Sequence, residues 1–244
     1  MTFDFRGFGE SGGEPRQYES PERKITDIQN AAAFARSLPV VDGDNVGGLA
    51  ICASAGYMAH AIARGAPLKA FATVAAWLHD PGTVGQIYGG AEGVHRRIDA
   101  GRQARAAFDR NGDVTRVPAY EPNEQDAAMF FELDYYARKD RGAVPEWKNQ
   151  FAVMSWTDWL TFDALSPASK IGVPTLMVHS DDAAYPDNAR RFYAALTAPK
   201  DLFWSQGQQI DFYDQEPQVT KAVGAVATHF AIALSKGVPR REAR

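Results

Sequence analysis

Short apolar runs alternate with helix-period segments along most of this chain, and that alternation constrains its fold more than any other feature. Residues 46–52, 70–77 and 173–178 are apolar runs of strand length, and 201–204 is a shorter one. Residues 22–37, 56–64, 186–196 and 217–235 carry apolar positions at helical spacing. Strands separated by helices are joined by crossovers rather than hairpins, so the predicted class is α/β, with a mostly parallel sheet and flanking helices. Ser20-Pro21-Glu22 marks the start of the first helix, and Ile25, Ile28, Ala32 and Phe34 are its predicted apolar face. Residues 2–5 look like the tail of a strand, followed by a glycine-rich turn from Gly7 to Gly13.

The middle of the chain differs. Residues 81–168 are polar, with Arg and Asp clusters, and read as helices over 91–111, 124–139 and 145–159. The predicted organisation is therefore a core of 1–80 and 169–244 with a helical cap over 81–168, set above the carboxyl edge of the sheet, where such folds bind ligands.

Composition narrows the function. A net charge of −4 offers no electrostatic footprint for nucleic acid or anionic lipid. The basic pairs Arg96-Arg97 and Arg240-Arg241 are too short to change this. The single cysteine, Cys52, excludes an internal disulfide and fits a reducing compartment. There is no secretory pattern at the N-terminus and no window near about 18 uncharged apolar residues, so a cytoplasmic protein is expected. No metal-ligand spacing such as H-E-x-x-H occurs, and no G-x-G-x-x-G opens a helix after a strand, so neither metal nor cofactor is expected.

The chemistry-bearing stretch is NVGGLAICASAGYMAH at 45–60. A serine between small residues at a strand-to-helix turn is a candidate nucleophile, because the strained turn tolerates only small neighbours, here Ala53, Ala55 and Gly56. Three further segments join it: FDFRGFGESGG at 3–13, VPTLMVHSDDAAYP at 173–186 and GQQIDFYDQ at 207–215. Together, and in this order, they resemble the α/β-hydrolase family over essentially the whole length, nearest to small bacterial hydrolases of the dienelactone-hydrolase and acyl-peptidase-like branches.

The resemblance implies Ser54 as nucleophile, Asp182 as the acid (with Asp181 its competitor), the Ala55 N–H as an oxyanion donor, and a histidine that falls here on Gln209. An amide is no general base at neutral pH, and loss of the histidine from such a triad costs on the order of a million-fold in turnover. Among the five histidines, His79, which ends a strand in WLHDP beside Trp77, is placed to reach the cleft, and the two are the candidate substrate-binding residues. His60, His95, His179 and His229 read as structural. Tyr88, Phe130, Phe131, Tyr135, Tyr136, Trp147, Trp156 and Trp159 of the cap are candidates for an apolar acyl pocket.

The family fold has further strands before Asp4, needing roughly 40–80 residues. The sequence is therefore expected to be N-terminally short, with an exposed strand edge that a second copy could pair. The expected function is a serine hydrolase acting on a small ester, thioester or amide with a degenerate triad. The alternatives are a ligand-binding pseudo-enzyme, or a lyase or cyclase that uses Ser54 and Gln209 only as hydrogen-bonders.

Overall fold

A computed structural model describes residues 1–235. The Arg240-Arg241 pair lies outside the described residues. Four strands form the main sheet: β1 (Gly47–Ile51), β2 (Ala70–Val74), β5 (Thr175–Ser180) and β6 (Lys200–Ser205), in that spatial order and all parallel. Helices α1 (Pro21–Ser37), α2 (Ser54–Ala63), α6 (Pro186–Ala195) and α8 (Gln218–Ala233) flank it, close to the predicted segments.

The two faces of the sheet follow the period-2 alternation of its central strands. Phe71 of β2 and Met177 of β5 pack with Ala59 and Ile62 of α2 and Ala189 and Phe192 of α6. Their neighbours Ala72, Val74, Leu176 and Val178 point the other way, onto Ala222 and Val226 of α8. Each large side chain so buried contributes roughly 1.5–3 kcal/mol. Helix α1 packs on α2 through Ile25 and Ile28, which contact Tyr57 and Ala61. Phe34 is not on that face: it is 58% exposed, because it sits about 200° around the helix from Ala32.

Two further expectations about strands are corrected. Strand β1 is not buried throughout, since it pairs on one side only and leaves Leu49 and Ile51 exposed. Residues 2–5 form no ladder, because their polar groups find side-chain and turn partners instead. The Asp4 carbonyl accepts from the Ser11 hydroxyl at 2.7 Å and the Arg6 N–H donates to Asp27 at 2.9 Å. The Asp4 carboxylate accepts the Glu10 N–H and packs on Gly9, where φ is +48° and any Cβ would strike that carboxylate.

The cap is not purely helical. Helix α3 (Gly90–Asn111) forms as expected, but β3 (Arg116–Val117) pairs antiparallel with β4 (Phe151–Ala152). Within 124–139 only one turn, α4 (Asp134–Ala137), is helical, and α5 (Ser155–Leu160) is shorter than predicted. Tertiary bonds such as Ala128 N–H to the Pro118 carbonyl (3.0 Å) and Met129 N–H to the Ala119 carbonyl (2.8 Å) claim the backbone of that stretch. The base of the cap is tied to the core, since Met154, Trp156 and Leu160 share a cluster with Tyr18, Ile25 and Tyr57.

Candidate active site

At the end of β1 the chain turns sharply through Cys52 and enters α2 at Ser54. Cys52 holds φ +58°, a left-handed conformation that a side chain adopts only at a cost of roughly 1–2 kcal/mol. The end of β2 keeps it there: Cys52 N–H donates to the Val74 carbonyl (3.2 Å) and Trp77 N–H to the Cys52 carbonyl (3.0 Å). Ala50 and Ser54, two positions either side, supply the small neighbours such a turn requires. Gly56 is needed for helix packing, since a Cβ there would lie 2.9 Å from that of Ala164.

Cys52 lines a cleft of about 1200 Å³ between the sheet's carboxyl edge, the N-terminal segment and the cap. Trp77, Asp182, Gln209 and Tyr213 also line it, together with Tyr88, Phe131, Tyr136, Trp147 and Trp159 of the predicted aromatic set. Phe130, Tyr135 and Trp156 lie outside the lining. Phe130 and Trp156 instead pack around the buried Arg97 guanidinium.

Ser54 is not on the cleft. Its hydroxyl donates to the Ile51 carbonyl (2.6 Å) and accepts the Ile51 N–H (3.1 Å), closing the first turn of α2. The Ala55 N–H is likewise occupied, by the Cys52 carbonyl at 3.1 Å. The position of sharpest strain at the end of the strand is thus Cys52, two residues before the expected one, and the N–H that follows it belongs to Ala53. That N–H, the Tyr213 hydroxyl and the Gln209 side chain all bear on the Cys52 thiol and favour its ionisation. Burial pushes the thiol above its ordinary value, these three donors pull it back, and the nearby Glu19 charge pushes it up again.

Gln209 lines the same cleft as Cys52. Its Oε1 accepts the Ala184 N–H (3.0 Å), while its Nε2 donates to the Ala75 carbonyl (2.6 Å) and the Tyr213 hydroxyl (2.9 Å). Asp182 reaches the cleft with its side chain exposed and has no hydrogen bond to Gln209 among the described residues. Asp181 points away into an ion pair with Arg190, whose guanidinium stacks 4.3 Å from the Trp204 ring.

His79 does not face the cleft. It is 1% exposed, its Nδ1 accepts the Trp77 indole N–H (3.2 Å), and its Nε2 donates to the Trp159 carbonyl (2.8 Å). Burial lowers its pKa to about 4, which keeps the ring neutral. It orients Trp77 from behind. His60 binds the Asp163 carbonyl (2.8 Å), and among the described residues no histidine lines the cleft. The described residues also hold no cluster able to bind a metal, and none of their helices is long and apolar enough to cross a membrane.

Sequence reasoning passed over Cys52 and Tyr213. The signal for Cys52 was present, since small residues flank it at both second neighbours just as they flank Ser54. Nothing local marked Tyr213, which α7 (Asp211–Asp214) brings to the cleft that Cys52 also lines.

No family model matches the chain. The chain is 29% identical over 243 residues to the uncharacterized protein YcjY of Escherichia coli, covering 94% of this chain and 78% of that protein. It is 24% identical over 225 residues to a thiohydrolase of Eupenicillium brefeldianum, covering 85% of this chain and 68% of the relative. The crystal structure of the alpha/beta hydrolase GrgF from Penicillium superposes with a TM-score of 0.79 at 17% identity, over 96% of this chain and 79% of that one. The chain has the α/β-hydrolase fold.

Proposed function

We propose that this protein is a cysteine-dependent acyl-transfer enzyme acting on thioesters of apolar acyl groups, with Cys52 as nucleophile. The observation that carries the reading is the strained, cleft-facing Cys52 at the turn from β1 to α2, with the Ala53 N–H beside its sulfur. Similarity to a protein named thiohydrolase supports it.

The absence of an imidazole selects the substrate. A serine alcohol without a base stays protonated, whereas a thiol ionises within reach of neutral pH, so the nucleophile must be sulfur. The leaving group is under the same constraint. An alkoxide needs a proton as it departs, and the Gln209 amide has none to give. A thiolate, whose conjugate acid has a pKa of about 8.5, leaves without one.

In the first step the Cys52 thiolate forms a bond to the acyl carbon, and charge gathers on the carbonyl oxygen, which the Ala53 N–H and the N-terminus of α2 favour. The substrate carbon–sulfur bond then breaks. The departing thiolate takes from solvent the proton that Cys52 released to it. Water cleaves the acyl-Cys52 thioester and carries the acyl group away as a carboxylic acid.

The test is intact-mass detection of an acyl adduct after mixing with a decanoyl thioester, alongside turnover followed by thiol release. The adduct maps to Cys52, and Cys52→Ala loses both signals. Tight binding of the thioester with no adduct and no turnover points instead to a ligand-binding protein and sinks the catalytic reading.

A further inference from the structure

The hydrogen positions around Gln209 are decided by its neighbours. The Ala184 N–H can only donate, so the Gln209 atom it meets at 3.0 Å is the carbonyl oxygen. The amide nitrogen therefore faces the other way, toward the Ala75 carbonyl and the Tyr213 hydroxyl, and donates to both. The phenol oxygen is thus already an acceptor from Gln209. Its own proton is therefore free to turn toward Cys52, which lines the same cleft and bears electrostatically on the phenol.

We infer that Tyr213 is a catalytic residue whose phenol donates a hydrogen bond to the Cys52 thiolate, and that Gln209 is the positioning residue that fixes the direction of that bond. The inference rests on Cys52 being the nucleophile. The relay runs in one direction, from amide to phenol to sulfur, and needs no residue that changes charge. Burial keeps the phenol protonated, with its ionisation well above the ordinary tyrosine range, so it remains a donor at every working pH. It is held by a T-shaped contact with the Tyr135 ring, 5.2 Å between centroids.

Other groups bear on the sulfur from the surrounding elements. Glu19 of the N-terminal segment opposes ionisation, and its charge is shared with Lys24 at 2.6 Å and with the Tyr57 hydroxyl of α2 at 2.5 Å. Tyr88 and Tyr136 of the cap and Asp182 of the β5 loop line the same cleft. Of these elements, α7 and its preceding loop bring Tyr213 and Gln209, which both favour ionisation of the thiol.

The experiment is the pH dependence of iodoacetamide alkylation, which reports one thiol because the chain has one cysteine. Tyr213→Phe keeps the ring and removes the donor. Its alkylation midpoint rises by about one pH unit, and labelling at pH 8 slows by about tenfold. Gln209→Met, which frees the phenol to turn away, shifts the midpoint in the same direction by less, and it carries the test if Tyr213→Phe does not fold. Unchanged midpoints in both folded variants overturn the inference. So does loss of acyl turnover in Tyr213→Phe with the midpoint unmoved, which assigns the ring to packing alone. A shifted midpoint in a protein whose parent forms no acyl adduct leaves the hydrogen bond assigned and overturns the acyl-transfer reading.

Discussion

The Arg141 guanidinium grips the Asp214 carboxylate with two bonds, Nη2 to Oδ1 at 2.5 Å and Nε to Oδ2 at 2.9 Å, and so joins the cap to the element that carries Tyr213. The two side chains are 11% and 22% exposed, and Arg141 also donates to the Ile210 carbonyl. Such a bidentate, largely buried pair positions as much as it stabilises.

Breaking it has a double consequence. Arg141→Ala leaves the Asp214 carboxylate partly buried without its partner and destabilises the fold by about 1–3 kcal/mol, a drop in melting temperature of several degrees. Limited proteolysis within residues 138–148 accelerates, and the KM for an acyl thioester rises because the cap no longer seats on the cleft. Arg141 holds the Asp214 carboxyl below the usual carboxylate range, so the pair's contribution is complete above the unfolded pKa, near 4. It is lost as pH falls through the lower folded value.

Ser54→Ala separates a structural serine from a catalytic one. Its hydroxyl serves the backbone of Ile51, so the variant loses about 1 kcal/mol of stability and keeps its thioester turnover within about twofold. Parallel urea titration and turnover assays check both halves. Turnover lost to the level of Cys52→Ala would return the nucleophile to Ser54.

The rate of acyl transfer is expected to climb with pH. Burial raises the Cys52 thiol above its ordinary value, so thiolate is the minor form at neutral pH. That fraction, and the rate with it, grows as pH rises toward the thiol's pKa. No cleft histidine supplies a rising limb between pH 5 and 7. A kcat/KM profile that plateaus at pH 7 contradicts this.

His79 couples stability to acid. Its folded pKa is about 4 against an ordinary 6.5, so the unfolded chain binds the proton first as pH falls. Stability attributable to this group is whole above about pH 6.5 and declines down to about pH 4, by on the order of 3 kcal/mol at most. Chemical-denaturation midpoints measured at intervals across that window report the slope, and His79→Phe flattens it at the expense of the Trp159 carbonyl's partner. Turnover at pH 8 stays within a few-fold, because the ring lies behind Trp77 rather than in the cleft.

Gln209→His restores an acid and base beside the sulfur. Oxygen esters, whose leaving groups require a proton, then gain more than thioesters, and the ester-to-thioester ratio of kcat/KM rises by at least about tenfold. A ratio left unchanged would show that leaving-group protonation does not limit the parent.

Local chemistry in the sequence determined much of this protein. Apolar runs of strand length separated by helical periods carried the parallel sheet, because burial on both faces leaves a legible mark, and Phe71, Met177 and Val178 are where that pattern placed them. The four motif segments brought Asp182 and Gln209 to one cleft with Trp77.

Tertiary structure alone decided which residue of the β1–α2 turn faces the cleft. Small residues surround both Cys52 and Ser54, and only the point where β1 stops pairing with β2 sets which of them takes the left-handed turn. It also decided the cap, where backbone groups of residues 118–129 found partners across a loop rather than along a helix, and the site of His79, which the packing of α5 sealed behind Trp77. Tyr213 joins Cys52 in the cleft lining across more than half of the chain's length. No periodicity encodes such a proximity, since it exists only once β5 and β6 have joined the sheet and α7 has followed them.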